Sequence, residues 1–538
     1  MPPPRLQTVC PANTRHRGAQ LTTHPRIQAV SCSTIRQHFW QRGRRPQTHM
    51  TSILRTTTQI EPASESGEIK RPVQLTLEVG PMAHGGHCVA RHEGRVIFVR
   101  HAIPGEIVVA ELTESDPSAQ LWWADAISVV QPSEFRRAHP WKLADPKRSY
   151  PAGRRPVSGA EYGHIVLEHQ RRLKAQVFRD TLARLGNQRS QDVEVQVHGL
   201  EEDFSGGLGW RTRNTFAVSS TGRLRMFVHR SQATVPVSNL PMATPEVNAL
   251  QLWGINFSGA SRLELITPGH GREVLIIIVP LPEVSETEST LLEHTQRWQE
   301  QLTKLPGHVS AMVLIPSKKR KRLAAITQLS GRPWVEEEVV SKRFGTKTFR
   351  VSGRGIWPEH CDAPAPLTEA AMTAIDAKPG QVVANLYAGV GMLSAYLADA
   401  VGPEGMVMSV DPVAQASKDA RHNLQGVPQA VVLKRSITRA LSSWLESPKA
   451  ALTKDGLAGR RLDTVVLTPP PSGAGRNVIN RIHQLNPDRI VYVSCDPASL
   501  ARDIRRLDTY GWQLTSVNVF DLHPNTHRIE SISVFTRP

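Results

Sequence analysis

Residues 73–130 alternate apolar and polar positions in runs of about five to eight, broken by turn signals at Gly85-Gly86, Glu93-Gly94 and Pro104-Gly105. A period of two turns one face of each run toward a core, so the stretch predicts a small antiparallel β-barrel. Over 161–185 the period becomes helical, with Ile165, Leu173, Val177, Phe178, Leu182 and Leu185 on the apolar side. Residues 193–340 mix strand-like runs, EVLIIIV and AMVLIP, with polar connectors, which predicts a central α+β domain. The acidic, Ser/Thr-rich VSETEST within it reads as an exposed loop. From about residue 349 the order strand, Gly-rich turn, helix, strand repeats, which predicts a doubly wound parallel sheet. The expected division is a leader over 1–71, a barrel over 72–131, a basic linker and central domain over 132–345, and an α/β domain over 346–538.

The longest apolar run, 274–279 with its neighbours, is far shorter than the roughly 18 residues of a membrane span, so no membrane role is expected. A length of 538 residues leaves ample chain for several cores. The five cysteines, Cys10, Cys32, Cys88, Cys361 and Cys495, include no C-x-x-C pair. That spacing argues against a disulfide scaffold, a zinc ribbon and a four-thiolate cluster, and points to a reducing, cytoplasmic compartment.

Lys and Arg number 65 against 48 acids, a formal +17 that favours polyanionic partners. Part of the excess lies in residues 1–49, which carry eight Arg and no acid; without them 57 basic residues face 48 acids, or +9. This opening lacks hydrophobic periodicity and a secretory apolar run, and Met50 offers a second start, so a disordered or non-native leader is expected rather than a targeting signal. Residues 135–156 set Arg136, Arg137, Lys142, Lys147, Arg148, Arg154 and Arg155 among Trp141 and Tyr150. Cations for phosphates and aromatics for bases suit single-stranded RNA, and the same composition also suits a charged linker. The KKRKR run at 318–322 reads as a solvated loop or a phosphate contact.

Four stretches carry candidate chemistry. In NLYAGVGMLSAYLADAVGPEGMVMSVDP a strand runs into Gly389-Val390-Gly391, a helix follows, and a second strand ends at Asp411. Glycines admit a nucleotide-like ligand, and a carboxylate about 20 residues on can accept ribose hydroxyls. Ser394 stands where a dinucleotide fold places its third Gly, which disfavours NAD. In LDTVVLTPPPSGAGRN a strand ends at Leu467 before Thr468 and three prolines, a rigid wall followed by the flexible Ser472-Gly473-Ala474-Gly475. In RIVYVSCDPASLARDI a strand ends at Cys495 before a helix, a place where a thiol pKa can be lowered; position alone also fits a buried core thiol. In FDLHPNTHRIESISVF, Glu530 opens the last strand after His523, His527 and Arg528, and a lone Glu there also fits an ordinary surface residue.

Two resemblances join these pieces. G-P-M-A-H-G-G-H-C-V-A-R with V-R-H-A-I-P-G-E resembles the TRAM domain, an OB-like RNA-binding module, which implies that Arg91, His92, Arg95 and Arg100 face phosphate. YAGVG, VSCDPASLARD and F-D-x-x-P-x-T-H-x-x-E resemble the RNA uracil-C5 methyltransferase family, from residue 73 to the last strand. The implied fold is α/β, a Rossmann-like methyltransferase domain preceded by the OB-like barrel and the central α+β domain. The implied activity is S-adenosylmethionine-dependent methylation of uridine C5 in ribosomal or transfer RNA, in a cytoplasmic monomer. By the same resemblance Cys495 is the nucleophile and Glu530 the base. Tyr387, Gly389, Gly391, Asp411 and Thr468 border the cofactor.

Several positions depart from the family pattern. Asn385 stands for an acidic residue, Pro358 for a Gln, and Thr468-Pro469-Pro470-Pro471 for Asp-Pro-Pro-Arg. The stretch GAEYGHIVLEH, where some relatives carry cluster cysteines, offers Tyr162 and His164 without a thiol, so no iron–sulfur cluster is expected. The alternative kept open by these departures is an RNA-binding protein on a degenerate methyltransferase scaffold.

Overall fold

The computed structural model describes residues 73–186, 194–200, 205–316, 325–446 and 460–538. The leader and the KKRKR run lie outside them. Among the described residues no helix is long and apolar enough to cross a membrane.

The first six strands are β1 (Gln74–Glu78), β2 (Met82–Ala83), β3 (His87–His92), β4 (Arg95–Arg100), β5 (Ile107–Glu114) and β6 (Leu121–Gln131), in the order β1-β5-β6-β4-β3-β2. Leu77, Met82, Cys88, Ile97, Val108 and Ala124, one from each strand, share one core, so the sheet curls on itself. Three bulges in the β5–β6 pairing supply bend. The expected all-antiparallel arrangement needs one correction, because β4 and β6 pair in parallel.

Two further sequence expectations fail here for the same reason, the recruitment of polar groups into packing. Arg100 is not turned to solvent: it is 4 % exposed and grips Asp125 through two bonds of 2.7 Å. In the basic linker Trp141 is buried and the Tyr150 hydroxyl donates to Asp125 at 2.9 Å, so neither ring is a free stacking platform. Arg136 bonds buried Glu106, and Arg137 bonds the Gly163 carbonyl.

After the one-turn helix α1 (Pro146–Ser149), helix α2 (Leu167–Leu185) begins six residues later than its periodicity suggests. Residues 161–166 are turns instead, fixed by Tyr162 N–H donating to the Asn525 carbonyl and Val166 N–H to that of Phe135. The central sheet has the order β10-β9-β8-β11-β12-β13-β14. Its strands are β8 (Arg213–Val218), β9 (Leu224–Phe227), β10 (Thr234–Pro236), β11 (Ala260–Ile266), β12 (Val274–Pro280), β13 (Val309–Ile315) and β14 (Ala325–Ser330). Helices α3 (Pro245–Ala249) and α4 (Glu288–Leu302) accompany it. Thr287 caps α4 by accepting from Thr290 N–H, so the acidic segment is a helix start and not only a loop.

The hairpin β15 (Trp334–Ser341) and β16 (Gly345–Ser352) places Val335, Val339, Phe349 and Val351 in one core with Val383, Tyr396 and Val491. The last sheet has the order β19-β18-β17-β20-β21-β23-β22-β7. Its members are β7 (Val197–His198), β17 (Val382–Leu386), β18 (Met406–Asp411), β19 (Ala430–Lys434), β20 (Thr464–Leu467), β21 (Arg489–Ser494), β22 (Gln513–Phe520) and β23 (Glu530–Thr536). Helices α5 (Pro364–Ile375), α6 (Met392–Val401), α7 (Ala414–Asn423), α8 (Ile437–Glu446), α9 (Arg476–Leu485) and α10 (Pro497–Asp508) are interspersed among these strands in the sequence. Strands β17 to β21 are parallel, and all but the half-buried edge strand β19 are buried on both faces, which is why those four read as unbroken apolar runs. From β17 the chain grows outward through β18 and β19 and then returns to add β20 and β21 on the other side. The strand order therefore reverses between β17 and β20, where open α/β sheets bind ligands.

Candidate active site

The carboxyl edge of the last sheet gathers the sequence candidates from five neighbouring strands. Asp411 ends β18, Tyr387 and Gly389 follow β17, Thr468 follows β20 and Cys495 follows β21. Strand β23 runs the opposite way, so its first residue, Glu530, lies on the same edge. Ser494 pairs with Ser531, which sets the residues beyond them, Cys495 and Glu530, beside each other.

Electrostatics bind this pair together. Burial pushes the Cys495 thiol up to about 12, and the charges of Glu530 and Asp496 add to the rise. This corrects the lowered value suggested by the helix that follows. The first turn of α10 is already capped, because Asp496 accepts Ser499 N–H at 2.6 Å, so a carboxylate stands between the thiol and the helix end. Burial likewise pushes Glu530 up to about 8; Arg528 opposes the rise and Glu359 reinforces it.

On the cofactor side the backbone is strained where a ligand would approach. Tyr387 has φ 61, unusual for a bulky residue, and Gly389 and Gly391 have φ 59 and 89. A Cβ on Gly391 would stand 3.2 Å from Leu424, whereas one on Gly389 would find only the Ile356 carbonyl, at 3.8 Å. Asp411 is buried and accepts Gly389 N–H at 2.9 Å and Val413 N–H at 2.7 Å, while burial raises its carboxyl above the usual value. Ile356 and Val413, 67 % and 44 % exposed, leave apolar surface uncovered beside this turn. Open glycine, anchored carboxylate and bare apolar side chains leave room for a nucleoside-like ligand. The positions that depart from the family pattern are uncharged. Asn385 is buried and donates to Ser394 at 2.9 Å, which in turn donates to Ser409. Thr468 is exposed and neutral, and Pro358 has no N–H.

Sequence reasoning missed the residues that hold this edge in place. Asp503 of α10 accepts Ala474 N–H and the Tyr492 hydroxyl, both at 2.8 Å, so the Gly-rich segment after the prolines is tied down rather than free. His84, in the β2–β3 turn, reaches Asp496 at 3.1 Å. Asn525, at φ 65, accepts from Gln170 and donates to the Gly207 carbonyl, fixing the loop ahead of Glu530. Asp503, His84 and Asn525 all lay in stretches singled out for their motifs, but none of the three was given a role there. His360, Cys361 and Asp362 bring a possible ligand atom each within 4.8 Å of one another, a grouping the sequence reading did not single out.

Comparison with known proteins agrees with this architecture. A family model described as tRNA (uracil-5-)-methyltransferase matches residues 370–537. An uncharacterized RNA methyltransferase of Streptomyces coelicolor is 31% identical over 488 residues, covering 89% of this chain and 97% of the relative. One of Streptomyces avermitilis is 31% identical over 467 residues, covering 86% and 98%. Among solved structures, the tRNA (uracil-54, C5)-methyltransferase of Pyrococcus abyssi in complex with S-adenosyl-L-homocysteine superposes with a TM-score of 0.59 at 17% identity, over 86% of this chain and 100% of that one. That likeness is one of fold.

Proposed function

Because the chain belongs to the RNA uracil-C5 methyltransferase family, we propose that it methylates C5 of a uridine in ribosomal or transfer RNA, with Cys495 as nucleophile and Glu530 as base. The observation that carries the reading is the β21–β23 register, which seats a thiol and a carboxylate side by side on the ligand-binding edge.

Uracil C5 is a weak nucleophile. The Cys495 thiolate bonds to C6, and the C5=C6 electron pair moves to make an enolate nucleophilic at C5. Bound S-adenosylmethionine supplies an electrophilic methyl group for C5. The Glu530 carboxylate then takes the C5 proton; the electrons of that C–H bond re-form C5=C6, and the C6–S bond breaks to return the thiolate. Burial pushes the thiol up to about 12 and so keeps it protonated in the free protein; its proton passes to solvent before the S–C6 bond forms, and Glu530 is left to take the C5 proton. The base must leave its stack to reach this edge, a rearrangement served by the basic surfaces upstream. Tyr387, Gly389, Gly391, Asp411 and Thr468 border the cofactor in this reading. The protein works as a cytoplasmic monomer without an iron–sulfur cluster.

Cys495→Ala is expected to abolish methylation and the covalent complex with 5-fluorouridine RNA; full activity in that variant refutes the nucleophile. Glu530→Gln is expected to accumulate the protein–RNA adduct, and rapid turnover counts against the base. The neutral residues at Asn385, Thr468 and Pro358 favour a second reading, an RNA-binding protein on a degenerate scaffold. Calorimetric titration with S-adenosylmethionine separates the two. Micromolar binding supports the enzyme, and no binding at millimolar ligand, with RNA present, supports the scaffold.

A further inference from the structure

Away from the catalytic edge, the seam between the curled six-stranded sheet and the central sheet holds a small cationic cavity of about 10 Å³. His87 of β3, Arg100 of β4, Thr113 and the one acid, Glu114, of β5 and Trp123 of β6 line one side; Arg155 of the linker and the β9–β10 turn residues His229 and Arg230 line the other. Arg100 Nη1, His87 Nε2 and His229 Nε2 are buried without a hydrogen-bond partner. Leaving such atoms unpaired costs free energy, so a polar occupant is called for.

The charge around the cavity specifies its sign. Arg100 is matched by Asp125, and Arg230 lies 3.6 Å from Glu114. Arg155 donates only to the Thr113 carbonyl and forms no ion pair among the described residues. One positive charge is therefore left over. Burial lowers His87 to about 3 and His229 to about 4, so both imidazoles are neutral; Arg100 reinforces the shift in both, while Glu161 and Asp125 oppose it at His229. His229 is oriented by Ser158, 2.9 Å from Nδ1; when that hydroxyl donates, Nε2 carries the proton and is a donor. Arg230 is held over the Trp123 ring at 4.1 Å in a left-handed conformation, φ 48, that few non-glycine residues adopt. Strain of this kind persists where the surroundings over-determine a side chain's position.

We infer that this seam is a phosphate site, which takes one non-bridging oxygen of an RNA phosphodiester and so registers the substrate strand on the protein. A cavity of about 10 Å³ is close to one water-sized occupant, too small for a whole phosphate ion and suited to a single oxygen with the rest of the group at the mouth. His84 of the β2–β3 turn, three residues before His87, contacts Asp496 next to Cys495, which ties the seam to the catalytic edge. A half-buried Arg155 without an acidic partner among the described residues, beside the unpartnered Arg100 Nη1 and His229 Nε2 donors, is what anchoring one phosphate oxygen requires. The inference rests on the reading of the chain as an RNA enzyme.

The test compares the full-length protein with Arg155→Gln and Arg230→Gln, using bulk transfer RNA over a range of salt. Each variant is expected to bind about tenfold more weakly and to flatten the slope of log affinity against log salt by roughly one, with the loss in KM rather than in kcat. Two variants guard against one that misfolds, and circular dichroism checks both. Parental affinity and parental slope in both variants overturn the inference. A second arm titrates inorganic phosphate while following the imidazole nitrogens by NMR. If free phosphate shifts the His229 signals at millimolar levels while RNA binding is unchanged in the variants, the RNA source is overturned. If the parent does not methylate RNA but the variants still lose affinity, the catalytic reading fails and the phosphate site stands.

Discussion

At the scale of single residues, the pair at the sheet edge behaves as two groups whose proton affinities have moved to unusual places. A thiol raised to about 12 is almost wholly protonated near neutrality, so Cys495 in the free protein is expected to react slowly with iodoacetamide at pH 7.5, slower than free cysteine. Site-resolved mass spectrometry of the alkylated protein measures this, and rapid labelling of Cys495 contradicts the burial argument. Glu530 predicts a pH profile. Its carboxyl is raised from 4.5 to about 8, so at pH 7 most molecules hold the proton that a base must first give up. kcat/KM for RNA is therefore expected to rise with pH and to rise less steeply above about 8, where Glu530 is ionised and only the Cys495 thiol still titrates, and a profile flat from pH 6 to 8.5 removes Glu530 from the rate-controlling ionisation. The sequence located both residues because each sits at a strand boundary marked by motif. Their proton affinities were not legible, since these depend on burial and on carboxylates that only folding brings near.

At the scale of elements, strand ends were the most readable feature. The runs ending at Leu467, Ser494 and Asp411 end there in the structure, because strands buried on both faces leave an uninterrupted apolar signature. The segment after Pro471 was misread as flexible from its glycines. What immobilises it comes from elsewhere in the chain: Asp503, about 30 residues on, accepts from Ala474, Tyr492 and, at 3.3 Å, Gly475. Periodicity cannot reveal such a pairing. Asp503→Ala is expected to lose about 1–3 kcal/mol of stability, since it strands buried donors, and to weaken S-adenosylmethionine binding by loosening the wall beside Thr468. Urea unfolding and calorimetry measure the two effects. An unchanged midpoint with unchanged cofactor affinity means that the segment is held by its prolines alone.

At the scale of the whole molecule, the division into successive domains expected from the sequence meets a structure in which early segments complete the last sheet. Strand β7 lies at its edge beside β22, and α2 packs on α10. The loop that delivers Glu530 is gripped from α2, where Gln170 bonds Asn525 and Lys174, 2 % exposed, reaches buried Asp521 at 2.5 Å. These partners lie about 350 residues apart, which no local pattern can signal. The buried ion pair registers α2 against the loop that precedes Glu530. Lys174→Met leaves a buried carboxylate with Arg171, at 3.7 Å, as its ion-pair partner among the described residues, and is expected to cost about 3–5 kcal/mol, less whatever Arg171 recovers. The double variant Lys174→Met with Asp521→Asn removes both charges and is expected to regain part of that loss, because two absent charges cost less than one unpaired. Urea midpoints of the parent, the two single variants and the double close the cycle. A coupling near zero means the pair merely fills space. A coupling of several kcal/mol, with turnover depressed in Lys174→Met even where the protein remains folded, means that the contact between α2 and the loop positions Glu530 as well as stabilising the fold.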